Sequence, residues 1–423
     1  MIDNGDGVGF VEQSYTLSKP INEVVFTLSA DIKSKNLIGK GAGLNITVYD
    51  SIENILQSVD MGYGGFNSVT GTSQWKTKSI KTILTSKAKI IKIGLISYGQ
   101  GTAYFDNVEV SFDEITDRRP SALAKDYIDK AGDSIMMHSL LKNSINIEPI
   151  KEKAYNIAGD AKTGAETYLA IEYMLNAIED KHAFFMPADA RENWEGNTED
   201  NNVDYNSIKY SKSEIKEGLG YISVPGFHGN NHDLRVAFAD TIQKQIQTLY
   251  AKKIKGFIVD LRLNDGGNMS PMLAGLAPLF STDTLGFLID VNNKREYWGN
   301  GNSFKRTQKE DYTASTIQTV LNKELPIAVL YGSSTGSSGE IIIISFIGNA
   351  KTKSFGQPSY GLTTGNGEYR LPDGSYLFFS STYMADRKGT IYKSRIIPDE
   401  VIEDKNSALD EVLKAAITWL KTQ

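Results

Sequence analysis

The chain contains no cysteine among its 423 residues, which excludes a disulfide framework, a thiol nucleophile and thiolate metal ligands. Proline is scarce, at 11 residues, and glycine, at 38, is far from collagen-like or low-complexity levels. The apolar run Ile341–Ile344, which continues with Phe346 and Ile347 after Ser345, is far shorter than the ~20 residues of a membrane-spanning helix. Lys and Arg (45) are outnumbered by Asp and Glu (51), and no block of like charges occurs. Neither nucleic acid nor an anionic membrane is therefore an expected partner.

The composition is that of an ordinary globular protein, with 40% apolar and 23% charged residues. A chain of this length is expected to form two or three domains. The first ten residues, MIDNGDGVGF, have neither the basic nor the apolar region of a signal peptide. Two interpretations follow, a cytoplasmic protein or a chain that begins after a removed signal.

Residues 1–115 show the pattern of short β-strands. Alternating apolar residues occur, for example, in Glu23–Leu28 and in Ile90–Ile96, and turns rich in Gly, Asn and Ser separate such segments. This spacing predicts an all-β sandwich. The segment Gly101–Val110 resembles the last strands of galactose-binding-like jelly rolls. That resemblance implies a jelly roll and an accessory role, with a glycan or another ligand as the expected partner of this region.

The pattern changes twice along the rest of the chain. Residues 113–120 are polar and read as a linker. Residues 120–190 carry apolar residues at helical spacing and are predicted to be a helical segment. Residues 191–423 alternate between strands and helices, which predicts an α/β layered core.

One Ser-rich turn, Gly332–Glu340, lies between an apolar strand and an apolar helix. A hydroxyl at a helix N-terminus lies where unpaired N–H groups and the helix dipole stabilise an oxyanion. The alternative is a Ser/Gly-rich turn with an N-cap, because serine is a favoured capping residue.

A second turn, Asp260–Asn268, follows another buried strand and contains Gly266 and Gly267. Adjacent glycines let the backbone approach a substrate carbonyl and present an N–H to it. The alternative is an ordinary strand-to-helix turn.

The histidines offer a candidate base. His182 follows a predicted helix and lies beside Asp180 in the sequence, and histidine is the usual general base near neutral pH. A structural histidine is the alternative. His228 and His232 have the i, i+4 spacing of metal ligands, but the glutamate of the zinc-peptidase motif is missing, so a surface loop is the favoured interpretation.

Taken together, five ordered segments between Lys125 and Glu403 resemble the C-terminal processing peptidase family, which includes tail-specific and tricorn-core-like serine peptidases. The resemblance implies a crotonase- or Clp-protease-like α/β core. The matching segments are Lys181–Phe185, Tyr221–Phe227, Asp260–Gly275, Thr335–Glu340, and Phe355–Asn366 with Ile397–Asp399.

The resemblance assigns roles to individual residues. The family nucleophile lies three residues before the glutamate of its motif, which is Ser337 here, with Ser338 as the alternative nucleophile. The backbone N–H of Ser338, with Gly266 or Gly267, would form the oxyanion hole. One branch of the family uses a lysine base at the position of Leu362, and leucine accepts no proton. The histidine branch is therefore implied, with His182 as general base.

The third member of the catalytic set is less defined by the resemblance. The tricorn branch has a glutamate shortly before the Pro-Asp pair, and this chain has no acid there. Asp386 is the first candidate for orienting His182, followed by Asp180 and Glu340. A loop cap is the alternative role for Asp386.

The sequence thus predicts a serine-type peptidase acting through an acyl-enzyme on a peptide or protein substrate, with no metal or cofactor. The resemblance of the β region to jelly rolls found beside many secreted hydrolases implies an extracytoplasmic location (periplasmic, secreted or a surface lipoprotein), with the cytoplasm as the alternative. The alternative function is a catalytically idle, peptidase-like protein that binds carbohydrate or another ligand.

Overall fold

A computed structural model describes residues 1–4, 7–61, 67–195, 208–282, 284–299, 305–306, 309–310, 321, 325–403 and 410–423. The chain forms two compact units. The first comprises Met1–Met137, Leu141–Arg191 and Glu368–Phe378, and the second comprises His138–Leu140, Glu192–Gly367 and Phe379–Gln423.

The N-terminal part of the first unit is a six-stranded antiparallel sheet. Its two longest strands, β3 and β6, pair from Val24 opposite Glu114 to Tyr49 opposite Ile90. Alternate residues of β3 are buried, among them Phe26 and Leu28, as expected for a strand with one face on a core. The predicted β-rich region is confirmed, and its jelly-roll arrangement stays a prediction. The strands are β1 (Ile2–Asn4), β2 (Val8–Thr16), β3 (Val24–Tyr49), β4 (Ile55–Asp60), β5 (Val69–Leu84) and β6 (Ile90–Glu114).

Helices follow this sheet. Helix α1 buries Ala124, Tyr127, Ile128 and Ala131, which share one face at helical spacing. The short strand β7 pairs with residues 376–378 of a later strand. The sheet and most of these helices belong to one compact unit, and the predicted boundary near residues 115–120 lies inside it. The elements are α1 (Ala122–His138), α2 (Ile147–Ala158), α3 (Tyr168–Ala177), β7 (Phe184–Met186) and α4 (Ala188–Glu195).

Residues 219–276 alternate between strands and helices, as the sequence predicts, whereas the described parts of residues 284–331 and 352–401 form successive strands. In chain order the elements are β8 (Lys212–Lys216), β9 (Leu219–Ser223), α5 (His232–Ala251), β10 (Phe257–Asp260), α6 (Met269–Leu276), β11 (Thr284–Asp290), β12 (Arg295–Gly299), β13 (Lys305–Arg306), β14 (Lys309–Glu310), β15 (Ile327–Tyr331), α7 (Ser338–Phe346), β16 (Thr352–Gly356), β17 (Thr364–Arg370), β18 (Tyr376–Asp386), β19 (Ile391–Tyr392), β20 (Glu400–Val401) and α8 (Glu411–Leu420).

The second unit is built on a sheet with the strand order β20-β16-β15-β10-β9-β8, parallel except for β8. Each central strand is buried on both faces. Phe257 and Val259 of β10 pack in a core with α5, α6 and α7, whereas Ile258 packs with α8. Helices on both faces of a parallel sheet define an α/β layered domain, so this prediction is confirmed.

The parallel pairing of β10 and β15 determines where the Gly-rich and Ser-rich turns lie. Asp260, the last residue of β10, pairs with Leu330, one residue before the end of β15. The turns into α6 and α7 therefore leave the same edge of the sheet side by side, the usual place for a site in α/β folds.

The described helices include none with the length and apolar character needed to span a membrane.

Candidate active site

Ser337 occupies a strained position between β15 and α7. It is the N-cap of α7, and its backbone has φ 52° and ψ −119°. A non-glycine residue rarely adopts a positive φ, and the cost is about 1–3 kcal/mol, so the surrounding structure must hold it there. The backbone N–H of Ser337 donates to Oε2 of Glu340 at 2.9 Å. The turn thus fixes the serine at the positive end of the helix dipole.

Glu340 is fully buried beneath this turn. Its other oxygen, Oε1, accepts hydrogen bonds from Ser359 Oγ at 2.5 Å and from the Gly361 N–H at 2.9 Å. Burial raises the pKa of this carboxyl, and the hydrogen bonds oppose that rise. Because both oxygens accept from the turn and from the neighbouring segment, Glu340 ties Ser337 to residues 359–361.

The Gly266–Gly267 turn packs directly against Ser337. Gly266 has φ 107°, and a Cβ placed on it would lie 2.9 Å from the Cβ of Ser337 and 3.2 Å from the Ser338 nitrogen. The Gly266 N–H donates to Asn264 Oδ1 at 3.1 Å. Phe227 pairs with the same turn, because its N–H donates to the Gly266 carbonyl at 3.1 Å. The structure therefore brings Ser337, Ser338 and the two glycines together, as the sequence predicts.

Two backbone N–H groups in these packed turns have no acceptor among the described residues. They belong to Gly267 and to Ser338, the first residue of α7. The Ser338 hydroxyl donates to the Gly267 carbonyl at 2.5 Å and so holds the two backbones together. Because the Ser338 hydroxyl already makes this hydrogen bond, Ser337 is favoured over Ser338 as the candidate nucleophile. Two such donors beside a serine can stabilise a developing oxyanion.

His182 lies in the first unit, in the turn after α3, and is half-buried. Its backbone N–H donates to Asp180 Oδ1 at 3.0 Å, so Asp180 acts in the structure of this turn. Ser337 belongs to the second unit. The pairing of the His182 imidazole with the Ser337 hydroxyl stays a prediction.

Asp386 closes the turn between β18 and β19. It is 4% exposed, and its Oδ1 accepts from the N–H groups of Lys388 at 2.8 Å and Thr390 at 3.0 Å. Its Oδ2 accepts from the Tyr392 hydroxyl at 3.2 Å. With these hydrogen bonds Asp386 caps the loop, which is the alternative role predicted for it from the sequence. The orientation of His182 by Asp386 stays a prediction.

The structure adds a His–Asp pair that the sequence interpretation missed. His228 Nε2 lies 3.0 Å from Asp265 Oδ1, and a Cβ on Gly267 would lie 3.2 Å from His228 Nδ1. The surface-loop interpretation of His228 did not include this pair. The pair forms because β9 and β10 are parallel neighbours, which brings residues 224–231 to the Gly266–Gly267 turn. The available signal was Asp265 itself, directly before the two glycines. His232 lies on α5 and is exposed.

The described ranges contain no group of three or more His, Asp or Glu side chains placed to hold a metal ion.

A strained serine at a strand-to-helix turn, next to backbone N–H groups that can bind an oxyanion, is typical of serine hydrolases. Residues 218–402 match the sequence profile of Peptidase family S41. The Nisin-resistance protein of Lactococcus lactis subsp. lactis is 31% identical over 274 residues, which are 64% of this chain and 79% of that protein. The chain belongs to peptidase family S41, which confirms the resemblance found in the sequence.

Two further comparisons agree with this assignment. Carboxyl-terminal-processing peptidase 2, chloroplastic, of Arabidopsis thaliana is 23% identical over 182 residues, 43% of this chain and 31% of that protein. The solved structure of a lipoprotein from Streptococcus agalactiae has a TM-score of 0.57 and 24% identity, covering 71% of this chain and 96% of that one. The structural likeness supports the fold.

The glycine at position 267 is expected to be essential for stability. A Cβ there would lie 2.1 Å from the Phe227 carbonyl oxygen, and φ is 92°. Gly267→Ala should lower the free energy of unfolding by about 3 kcal/mol or more, because steric overlap adds to backbone strain. Gly218→Ala is the matched control, since Gly218 has φ 80° and nothing within 4 Å of its Cβ position. It should cost only the strain, about 1–2 kcal/mol. Equal losses in urea denaturation would contradict the close packing at Gly267.

Proposed function

We propose that the protein is a serine-type peptidase that hydrolyses peptide bonds through an acyl-enzyme. The observation that carries this proposal is the strained Ser337 at the start of α7, packed against the Gly266–Gly267 turn. The N–H groups of Gly267 and Ser338 have no acceptor there among the residues that the structure describes. Ser337 Oγ attacks the carbonyl carbon, and the oxygen that becomes negative is stabilised by those two N–H groups. The Gly266 N–H is not assigned to this role, because it donates to Asn264.

His182 is proposed as the general base. It accepts the proton of Ser337 Oγ during the attack and donates it to the leaving amine when the C–N bond breaks. Water then attacks the acyl-enzyme, and the same histidine accepts a proton from that water. It returns this proton to Ser337 Oγ as the bond between Oγ and the acyl carbon breaks and the carboxylic acid product leaves. The support for this choice is the family resemblance together with Leu362, which stands where another branch of the family has its lysine. Asp386 keeps its place as the first candidate for orienting the imidazole.

A fluorophosphonate probe tests the proposal, because it reacts covalently with activated serines and leaves unactivated ones unmodified. We expect stoichiometric labelling, with the adduct located on Ser337 by peptide mass spectrometry. A folded protein that stays unlabelled would favour the idle, ligand-binding alternative. A label on Ser338 would show that Ser338, and not Ser337, is the nucleophile.

The substrate is proposed to be a peptide or an unfolded protein. The similar protein of Lactococcus lactis is named for resistance to nisin, so nisin is the first compound to test, with cleavage followed by mass spectrometry. For the N-terminal β region, a glycan or another ligand stays the proposed partner.

An extracytoplasmic location is also proposed. Its support is the similarity to a Streptococcus agalactiae protein described as a lipoprotein. Fractionation of cells that produce the protein from its natural gene tests this location.

Glu340 is expected to act on Ser337 through the backbone. In Glu340→Gln, the side chain keeps one carbonyl oxygen and gains an NH₂ that must face either the Ser337 N–H or the Ser359–Gly361 donors. A buried donor facing a donor costs about 1–3 kcal/mol. We expect a lower free energy of unfolding by that amount and a fluorophosphonate labelling rate reduced at least tenfold. Wild-type labelling by a folded Glu340→Gln variant would show that Ser337 does not depend on this carboxylate.

A further inference from the structure

The His228–Asp265 pair lies at the proposed oxyanion donors. The backbone holds it there, because the Phe227 N–H donates to the Gly266 carbonyl at 3.1 Å and the Asn268 N–H donates to the Phe227 carbonyl at 2.7 Å. His228 thus follows a residue, Phe227, that is hydrogen-bonded to Gly266 and Asn268, and Asp265 lies directly before Gly266. The two side chains are 46% and 54% exposed, so a bound peptide can reach them.

The hydrogen bond between the two side chains determines which imidazole nitrogen faces the site. The bond to His228 lowers the pKa of Asp265, and the positive charge of Lys209 acts in the same direction. Asp265 is therefore an ionised acceptor at neutral pH, and His228 Nε2 must carry the hydrogen. In the neutral ring Nδ1 then has a lone pair, and Nδ1 is the nitrogen beside Gly267. Among the described residues, nothing donates to Nδ1.

We propose that His228 contacts the substrate, its Nδ1 accepting a main-chain N–H of the peptide bound across Gly267, while Asp265 orients the ring. The inference rests on the proposed function, since it needs a substrate carbonyl at the Gly267 N–H. In an extended peptide, an N–H group lies within a few ångströms of each carbonyl, so a donor at Gly267 and an acceptor beside it match the two groups of one chain.

Two substrates separate this role from catalysis. Fluorescein-labelled casein presents main-chain N–H groups, whereas p-nitrophenyl acetate has none. For His228→Ala we expect the KM for casein at pH 7.5 to rise about five- to tenfold, the loss of one hydrogen bond, with kcat within about twofold. The kcat/KM for p-nitrophenyl acetate should stay within about twofold.

A conservative variant tests the position of the acceptor. An asparagine oxygen at position 228 can take the place of Nδ1 as the acceptor, so His228→Asn should restore the KM for casein to within about threefold of wild type. His232→Ala is the control, since this exposed histidine on α5 has no partner among the described residues. Its KM and kcat should equal those of the wild type.

The outcomes distinguish the inference from the proposed function. Activity of Ser337→Ala on both substrates would overturn the proposed function and the inference with it. If Ser337→Ala is inert but a folded His228→Ala keeps the wild-type KM for casein, the inference alone is wrong. If His228→Ala loses ester hydrolysis as well, His228 takes part in the chemistry and a simple contact is excluded. Binding of casein to Ser337→Ala, with and without His228→Ala, gives the same comparison without turnover.

Discussion

Ser337→Ala is expected to abolish the hydrolysis of casein and of p-nitrophenyl acetate, with kcat/KM reduced by about 10³-fold or more. The reason is that the proposed attack needs the Ser337 oxygen, while the nearest alternative, the Ser338 hydroxyl, already donates to the Gly267 carbonyl. The melting temperature should stay within a few degrees of wild type, because a turn hydroxyl contributes only about 1 kcal/mol. Initial rates and differential scanning calorimetry measure the two quantities.

Ser337→Gly is the matched control for this prediction. Glycine tolerates the φ of 52° without the Cβ penalty of about 1 kcal/mol, so this variant should be inactive and yet at least as stable as Ser337→Ala. A stability gain at an inactive site would show that the fold holds the serine under strain for chemistry. Wild-type activity in either variant would remove Ser337 from the mechanism.

The centre of this site was predictable because its signals are local. An apolar strand, a short turn with hydroxyl or glycine residues and an apolar helix occur at Ser337 and again at Gly266–Gly267. Each turn follows a buried strand, and parallel strands bring such turns to one edge of the sheet. The structure shows that closeness, with the Gly266 turn packed on the Cβ of Ser337.

The hydrogen bonds of Glu340 were harder to predict, although a local sequence pattern indicates one of them. The spacing Ser337-x-x-Glu340 is that of a capping box, in which the glutamate accepts from the N-cap N–H. The sequence interpretation considered Glu340 only as a partner for His182. Its hydrogen-bond partners Ser359 and Gly361 are 19 and 21 residues away in the chain, and hydrophobic periodicity does not predict contacts between such distant residues.

The His228–Asp265 pair shows the limit of sequence patterns more directly. The two residues are separated by 37 positions and meet only because Phe227 pairs with Gly267 beside the parallel strands. A histidine in a loop belongs to no regular helix or strand, so the spacing of apolar residues does not predict the orientation of its side chain. The same limit applies to the unit boundary. The change of pattern near residue 115 is real, yet the strands before it and helices after it form one compact unit.

His182→Ala is expected to lose several orders of magnitude in kcat/KM for p-nitrophenyl acetate while it stays folded, as removal of the base does in serine hydrolases. In the wild type, kcat/KM for this ester should rise with pH through a single step at about pH 6–7, where histidine bases ordinarily titrate. The ester is the right substrate, because it carries no main-chain N–H for His228 to accept. The Ser337→Ala variant supplies the background rate.

A second substitution separates the histidine mechanism from the lysine mechanism. In the His182→Ala background, Leu362→Lys restores the lysine of the other branch but should not rescue activity. Leu362 is half-buried, so an ammonium placed there would lose part of its hydration. If His182→Ala instead kept most of its activity and the pH step lay above 8, a lysine would be the base. Lys351 and Lys353 would be the next positions to change. Lys353 Nζ pairs with Glu400 Oε2 at 2.9 Å, so this pair would have to open before Lys353 could act as the base.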